Sequence, residues 1–209
     1  QSSTGELRIT VRDSGGLPVR CEVTLVSDAN DVSQQLETAA DGLSVAKKDA
    51  IHTPTDASSY SFASITTSDQ QLYVLFLNTS NKTGVGPSAT GLSGAGLSFT
   101  GVGAPGGLLY SGRTGVRRIQ AWRALSAAGA TTGSTTINLD GTSTSMDAVL
   151  LEVSGIDTSG TNGSGAIVQS AATKVKNVTS LSVPLAGFGS PDNRPLAFFS
   201  HRAAETRTQ

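Results

Sequence analysis

Four arginines, Arg113, Arg117, Arg118 and Arg123, form the main basic concentration of this sequence. A guanidinium offers a planar fork of donors suited to bidentate binding of phosphate, sialic acid or a carboxylate-rich partner. In a strand starting near Val116, Arg118 shares a face with Val116, Gln120 and Trp122, whereas Arg117 falls with Ile119, Ala121 and Arg123. The cluster is thus divided, and a solvated strand face or a subunit salt bridge is the commoner use of such residues. Trp122, with Tyr60, Tyr73 and Tyr110, has the ring faces on which a pyranose stacks. A chain with 5% aromatic residues also needs its large rings for core packing, which is the plainer role for Trp122. The candidate ligand- or partner-binding residues are therefore Arg113, Arg117, Arg118, Trp122 and Tyr110.

The other chemistry-bearing residues are sparse. The segment from Asp157 to Gly163 is rich in oxygen ligands, which makes Asp157 a weak Ca²⁺ candidate. It lacks the alternating carboxylates and the terminal bidentate Glu of a calcium loop and reads first as a turn. Asp147 and Glu152 are five residues apart, on opposite faces of an uninterrupted strand, so they do not form a glycosidase pair. No G-x-S-x-G elbow occurs, and neither His52 nor His201 has a neighbouring feature that marks it as a base. The glycines around Val102 are not followed by Lys-Ser/Thr or an amphipathic helix, so no phosphate loop is expected. Cys21 stands alone and alternates with Val19, Val23 and Leu25, the pattern of an inert thiol on an apolar strand face. Asp41-Gly42 and Asp140-Gly141 are turn signals. No catalytic residue, no cofactor and no enzymatic activity are assigned.

The elements that must position these residues are strands. The chain has 209 residues, 37% of them hydrophobic, 15% charged and 24 glycines, with a formal net charge of −1. That balance gives no general reason to expect nucleic acid or an acidic membrane as partner, and no apolar run reaches the roughly 18 residues of a membrane span. Leu7, Ile9 and Val11 alternate with polar neighbours, then Asp13 to Pro18 turn the chain into a second strand near Val19 to Ser27. Residues 48–57 are polar, carry Pro54 and lack periodicity, so they read as a linker. Gln71 to Asn78 is an apolar run expected to be the central strand, covered on both faces. Short strands are expected within the glycine-rich passage from Thr79 to Gly107. Further strands are expected near Val116–Leu125, Thr135–Leu139, Ala148–Val153, Ala166–Ala171, Leu181–Leu185 and Leu196–Ser200.

Two resemblances accompany this reading. The runs Gly5 to Asp13, Gly16 to Val19 and Val23 to Ser27, with Asp41-Gly42 downstream, resemble a carboxypeptidase-regulatory-like domain, an Ig-like fold that often precedes the plug of TonB-dependent receptors. From about Ser58 onward the chain is similar to uncharacterised β-sandwich modules of phage and bacterial surface proteins. That likeness is carried by Gln71 to Leu77, Gly96 to Thr100, Gln120 to Ala124 and Val153 to Gly165. It implies architecture and location and includes no catalytic motif.

The expected fold is all-β: an Ig-like region at 1–47, the linker at 48–57, and a larger antiparallel β-sandwich, jelly-roll or Ig-like, at 58–209, whose polar end at His201–Gln209 offers no closing strand, as in a truncated chain or one completed by a neighbour's strand. The expected function is that of a non-catalytic structural or adhesive subunit of an extracellular, cell-surface or virion assembly, associating through sheet faces and edge strands. The start at Gln1 is what removal of a secretory signal would leave. Its partners would be further copies or other surface proteins. The alternative is a carbohydrate-binding module that uses exposed aromatics on a glycan.

Overall fold

The computed structural model describes residues 22–25, 42–111, 115–175, 181–190 and 193–200. They form an all-β sandwich. One sheet contains β2 (Ser44–Thr53), β4 (Leu72–Ser80), β7 (Thr100–Val102), β9 (Val116–Leu125) and β11 (Ser145–Ser154) in the order β2-β11-β4-β9-β7, and β8 (Leu108–Ser111) also pairs with β9. The other contains β3 (Ala57–Thr66), β5 (Ala89–Gly94), β6 (Leu97–Ser98) and β10 (Thr132–Ser143) in the order β3-β10-β5-β6. Every pairing within these two sheets is antiparallel. A separate parallel pair joins β1 (Glu22–Leu25) to β12 (Leu196–Phe199).

Alternation of side chains explains the layers. On β4, Tyr73, Leu75 and Leu77 point between the sheets, where they meet Met146, Ala148 and Leu150 of β11 and Phe62, Leu92 and Ile137 of the facing sheet. Leu72, Val74 and Phe76 point the other way and join Val149, Leu151 and Val153 in a second apolar cluster. That outer cluster is roofed by Ile156, Ala166, Ile167, Leu196 and Phe198 from the chain that follows β11. All nine residues of β4 are therefore buried, as expected for a central strand with both faces covered.

The expectation of a linker at 48–57 is corrected by the structure. Lys48 to Thr53 complete β2, which pairs along its length with β11, and the chain then crosses to the other sheet at Pro54 to Asp56. The periodicity is hidden because the register slips between Leu150 and Leu151, which breaks the alternation around Lys48. Residues 44–47, placed with the N-terminal region from sequence, belong to the sandwich sheet as well. The strands expected at Ala166–Ala171 and Leu181–Leu185 do not form: Thr161–Ala166 is a short 3₁₀ turn, and the apolar side chains Ala166 and Ile167 serve in the roof. Asp140-Gly141 is not a turn but lies inside β10, and the reversal falls at Thr144. Cys21 and the first strand of the N-terminal region lie outside the described residues.

Candidate functional site

The structure separates the arginines. Gln120 and Trp122 lie opposite Leu77 and Leu75 on the inner side of β9, and Arg118 lies opposite Thr79 on the same side. Arg118 donates through Nε to the Gly86 carbonyl at 2.9 Å and through Nη1 to the Gly106 carbonyl, so its fork holds two loops together. Arg117 and Arg123 are on the other face, opposite Ser80 and Val74. Arg123 reaches the Thr161 carbonyl at 3.5 Å, and Arg117 is half-buried with interactions of its own. Arg113 lies outside the described residues.

The aromatic candidates are equally divided. Trp122 packs against the inner core, and Gly101 on β7 lies 3.8 Å from its ring when given a Cβ. Tyr60 and Tyr73 are buried, and Tyr110 is half-buried. Among the described residues every aromatic side chain is buried or half-buried. Asp157 is exposed and accepts the Ser159 N–H at 2.8 Å, which also holds its carboxyl below the ordinary value. This is the geometry of an Asx turn. Among the described residues no three His, Cys, Asp or Glu gather as metal ligands.

A polar row that sequence reasoning missed runs across the roofed side of the larger sheet. Asp147, 3% exposed, sits between His52 on β2 and Asn78 on β4 in the strand register. His52 Nδ1 lies 2.5 Å from Asp147 Oδ1, and Asn78 Nδ2 donates to Asp147 Oδ2 at 3.2 Å. Tyr110 donates to Asn78 Oδ1 at 3.2 Å, and its hydroxyl also lies 2.5 Å from Ser200 Oγ. The row contains a serine, a histidine and an aspartate, but not in the order of a nucleophilic triad. Such a triad needs the imidazole against the serine and the carboxylate behind the imidazole. Here Asn78 and Asp147 stand between Ser200 and His52. The row's evident work is bracing: it ties β2, β11, β4, β8 and the residue after β12 to one another, with a buried carboxylate satisfied by its neighbours. The strand register brings His52, Asp147, Asn78 and Tyr110 together, and the packing of β12 on the outer cluster adds Ser200.

A second network closes one end of the inner core. Glu152 accepts from Tyr73 and pairs with Lys48 at 3.3 Å, while Tyr73 Oη accepts the Ser68 N–H at 2.9 Å. Burial alone would raise the Glu152 carboxyl, but hydrogen bonds from Tyr73 and Ser68 and the Lys48 ammonium outweigh it and hold it below its ordinary value of 4.5. Burial, then the bond to Glu152, pushes the Tyr73 hydroxyl up, so it remains a donor. The stabilisation from Glu152 is complete above the unfolded value and is lost as pH falls through the lower folded value. Glu152→Gln is expected to flatten the fall in melting temperature on the acid side of pH 4.5 and to lower stability near neutrality. An acid limb as steep as that of the parent would assign the acid sensitivity to other groups.

Among the described residues, the outward side of the smaller sheet is left open. Its outward positions carry small hydroxyl and amide groups in register: Thr66 beside Thr132, Ser64 beside Ser134, Ser59 beside Asn138, and a row of Ser61, Thr136, Ser93 and Ser98 across four strands. Several of these bond one another, with Ser61 Oγ 3.0 Å from Thr136 Oγ1 and Thr66 Oγ1 2.9 Å from Thr132 Oγ1. Asp140, exposed on β10 beyond Asn138, adds one carboxylate to this side and accepts the Ser88 N–H at 2.8 Å. Comparisons with protein-family profiles, curated proteins and solved structures give no match to this chain.

Proposed function

We propose that this chain is a non-catalytic structural or adhesive module of an extracellular or virion surface assembly, and that it meets its neighbours through the outward face of the smaller sheet. The observation that carries this reading is the asymmetry of the sandwich. One outer face is roofed by the chain's own residues, while among the described residues nothing covers the other, which carries rows of short hydroxyl and amide side chains. Short side chains lose little rotamer freedom when covered, and hydroxyls both donate and accept, so such a face suits close packing against another protein surface.

The edges support the face as the contact surface. Edge strand β2 carries Lys47, Lys48 and Asp49 and is bulged, features that discourage strand addition. On edge strand β3, the Ala63 N–H is taken by Asp49 Oδ2 at 2.7 Å and the Ala57 N–H by the Tyr60 hydroxyl at 3.1 Å. Strand spacing and rise give the face an area of about 500 Å². Two such faces would bury about 1,000 Å², below the roughly 1,200–2,000 Å² of a stable pair. A single contact is then weak, and many arrayed copies are needed to hold it.

Light scattering over a range of concentrations, with electron microscopy of concentrated protein, tests the reading. Ordered oligomers are expected at high concentration, and Ser61→Lys with Ser134→Lys should abolish them while leaving the melting temperature within a few degrees, since both sites are exposed. Assembly that survives both lysines would overturn the face as the contact surface.

A further inference from the structure

We infer that β12 is an exchangeable segment, and that the apolar patch it covers accepts the Leu196–Phe199 strand of a second copy of this chain. The inference names a route of assembly and rests on the assembly reading above, but on a different surface and different residues.

β12 belongs to neither sheet of the sandwich. Its ladder is with β1, in parallel, from Glu22 beside Leu196 to Leu25 beside Phe199. Toward the sandwich it makes side-chain contacts: Phe198 stacks on Phe76 with ring centroids 5.2 Å apart and 4° between planes, and Leu196 packs on the same outer cluster. Next to it, Ser200 bonds to Tyr110 and lies 3.4 Å from Asn78 Nδ2. Lifting β12 from the patch therefore breaks no backbone ladder of either sandwich sheet. The apolar surface that it uncovers remains a matched seat for the same sequence.

The connection permits the exchange. β11 ends at Ser154 and β12 begins at Leu196, so about forty residues join them, enough to reach a neighbouring copy when extended. Beyond the 3₁₀ turn, the described residues of this connection form no helix or strand. Side-chain ties along this stretch include Gln169 with the Ala186 backbone at 3.0 and 2.9 Å, and Lys174 with the Leu109 carbonyl at 2.8 Å. Every interaction broken in one copy is remade in the other, so their energies cancel. What remains is the concentration of neighbours against the effective concentration of the tether, on the order of millimolar. The closed form dominates in dilute solution, and exchange grows where copies are crowded.

Two single variants, Phe76→Cys and Phe198→Cys, test this, each in the full chain with Cys21→Ser. They are mixed, co-refolded from urea at stepped concentrations and treated with a short bis-maleimide. A cross-linked heterodimer that rises roughly in proportion to concentration is expected. Phe198→Cys mixed with Ser59→Cys, which lies on the opposite face of the sandwich, should give none. The double variant Phe76→Cys/Phe198→Cys should cross-link within one chain in dilute solution. Failure of that intrachain link would overturn the seating of β12, and exchange with it. An intrachain link without heterodimer at the highest concentration would overturn exchange alone. Oligomers that form normally under that second result would leave the assembly reading standing.

Discussion

Gly94→Ala is expected to cost about 3 kcal/mol or more and to lower the melting temperature by roughly 10 °C, or to prevent folding. Gly94 ends β5 at φ +128, a backbone conformation that side-chain-bearing residues rarely adopt. A Cβ there would sit 2.0 Å from the Ser134 carbonyl oxygen and 3.0 Å from Thr135 Cα. These are backbone atoms of β10, so no rotamer change relieves the clash. At the same residue β5 pairs with both β10, at Thr135, and β6, at Leu97. The substitution therefore strikes the junction that holds the smaller sheet together and, on the proposed reading, the row of hydroxyls that crosses it. Urea unfolding followed by fluorescence of Trp122 reads the loss. A midpoint unchanged within error would show that β5 and β10 do not meet in this way.

Leu150→Ala is expected to destabilise by about 2–5 kcal/mol, with a lower urea midpoint and an unchanged slope. Leu150 is 0% exposed at the centre of β11, on the side facing between the sheets, and lies opposite Leu75. Truncation removes transfer free energy and leaves a cavity whose walls are held by two hydrogen-bonded sheets, so little collapse can offset it. Ser134→Ala on the open face is the matched control and should lie within about 0.5 kcal/mol of the parent. A comparable loss at both positions would mean that the face is not solvent-exposed in the isolated chain.

The fold was legible in sequence wherever burial follows the strand period. The nine buried residues of β4 came from an uninterrupted apolar run, and β9 occupies Val116–Leu125 as its alternation implied. The separation of Arg118 from Arg117, and of Asp147 from Glu152, followed from the same two-residue period and holds in the sheet register. The second half of β2 was not legible, because an edge strand is exposed along one side, carries charges that protect it, and is bulged at Lys48. Those are the features that make a segment resemble a linker. At Ala166 and Ile167 the error had the opposite sense: apolar residues suggested a strand, but the chain buries them in the roof without any ladder.

The amino-acid sequence by itself determined the class of the protein, since strand periodicity and glycine-rich turns are local properties of consecutive residues. It also determined which side of each regular strand a residue faces. Only the tertiary structure decided which strands are neighbours, and with that the row from His52 through Asp147 and Asn78 to Tyr110 and Ser200. It likewise decided that one sheet is roofed by β12 and that, among the described residues, the other is left open. The physical reason is that these contacts join residues tens of positions apart. Their geometry is set by the register of hydrogen-bonded ladders and by the fit of one apolar surface on another, and neither is written in the period of any single segment.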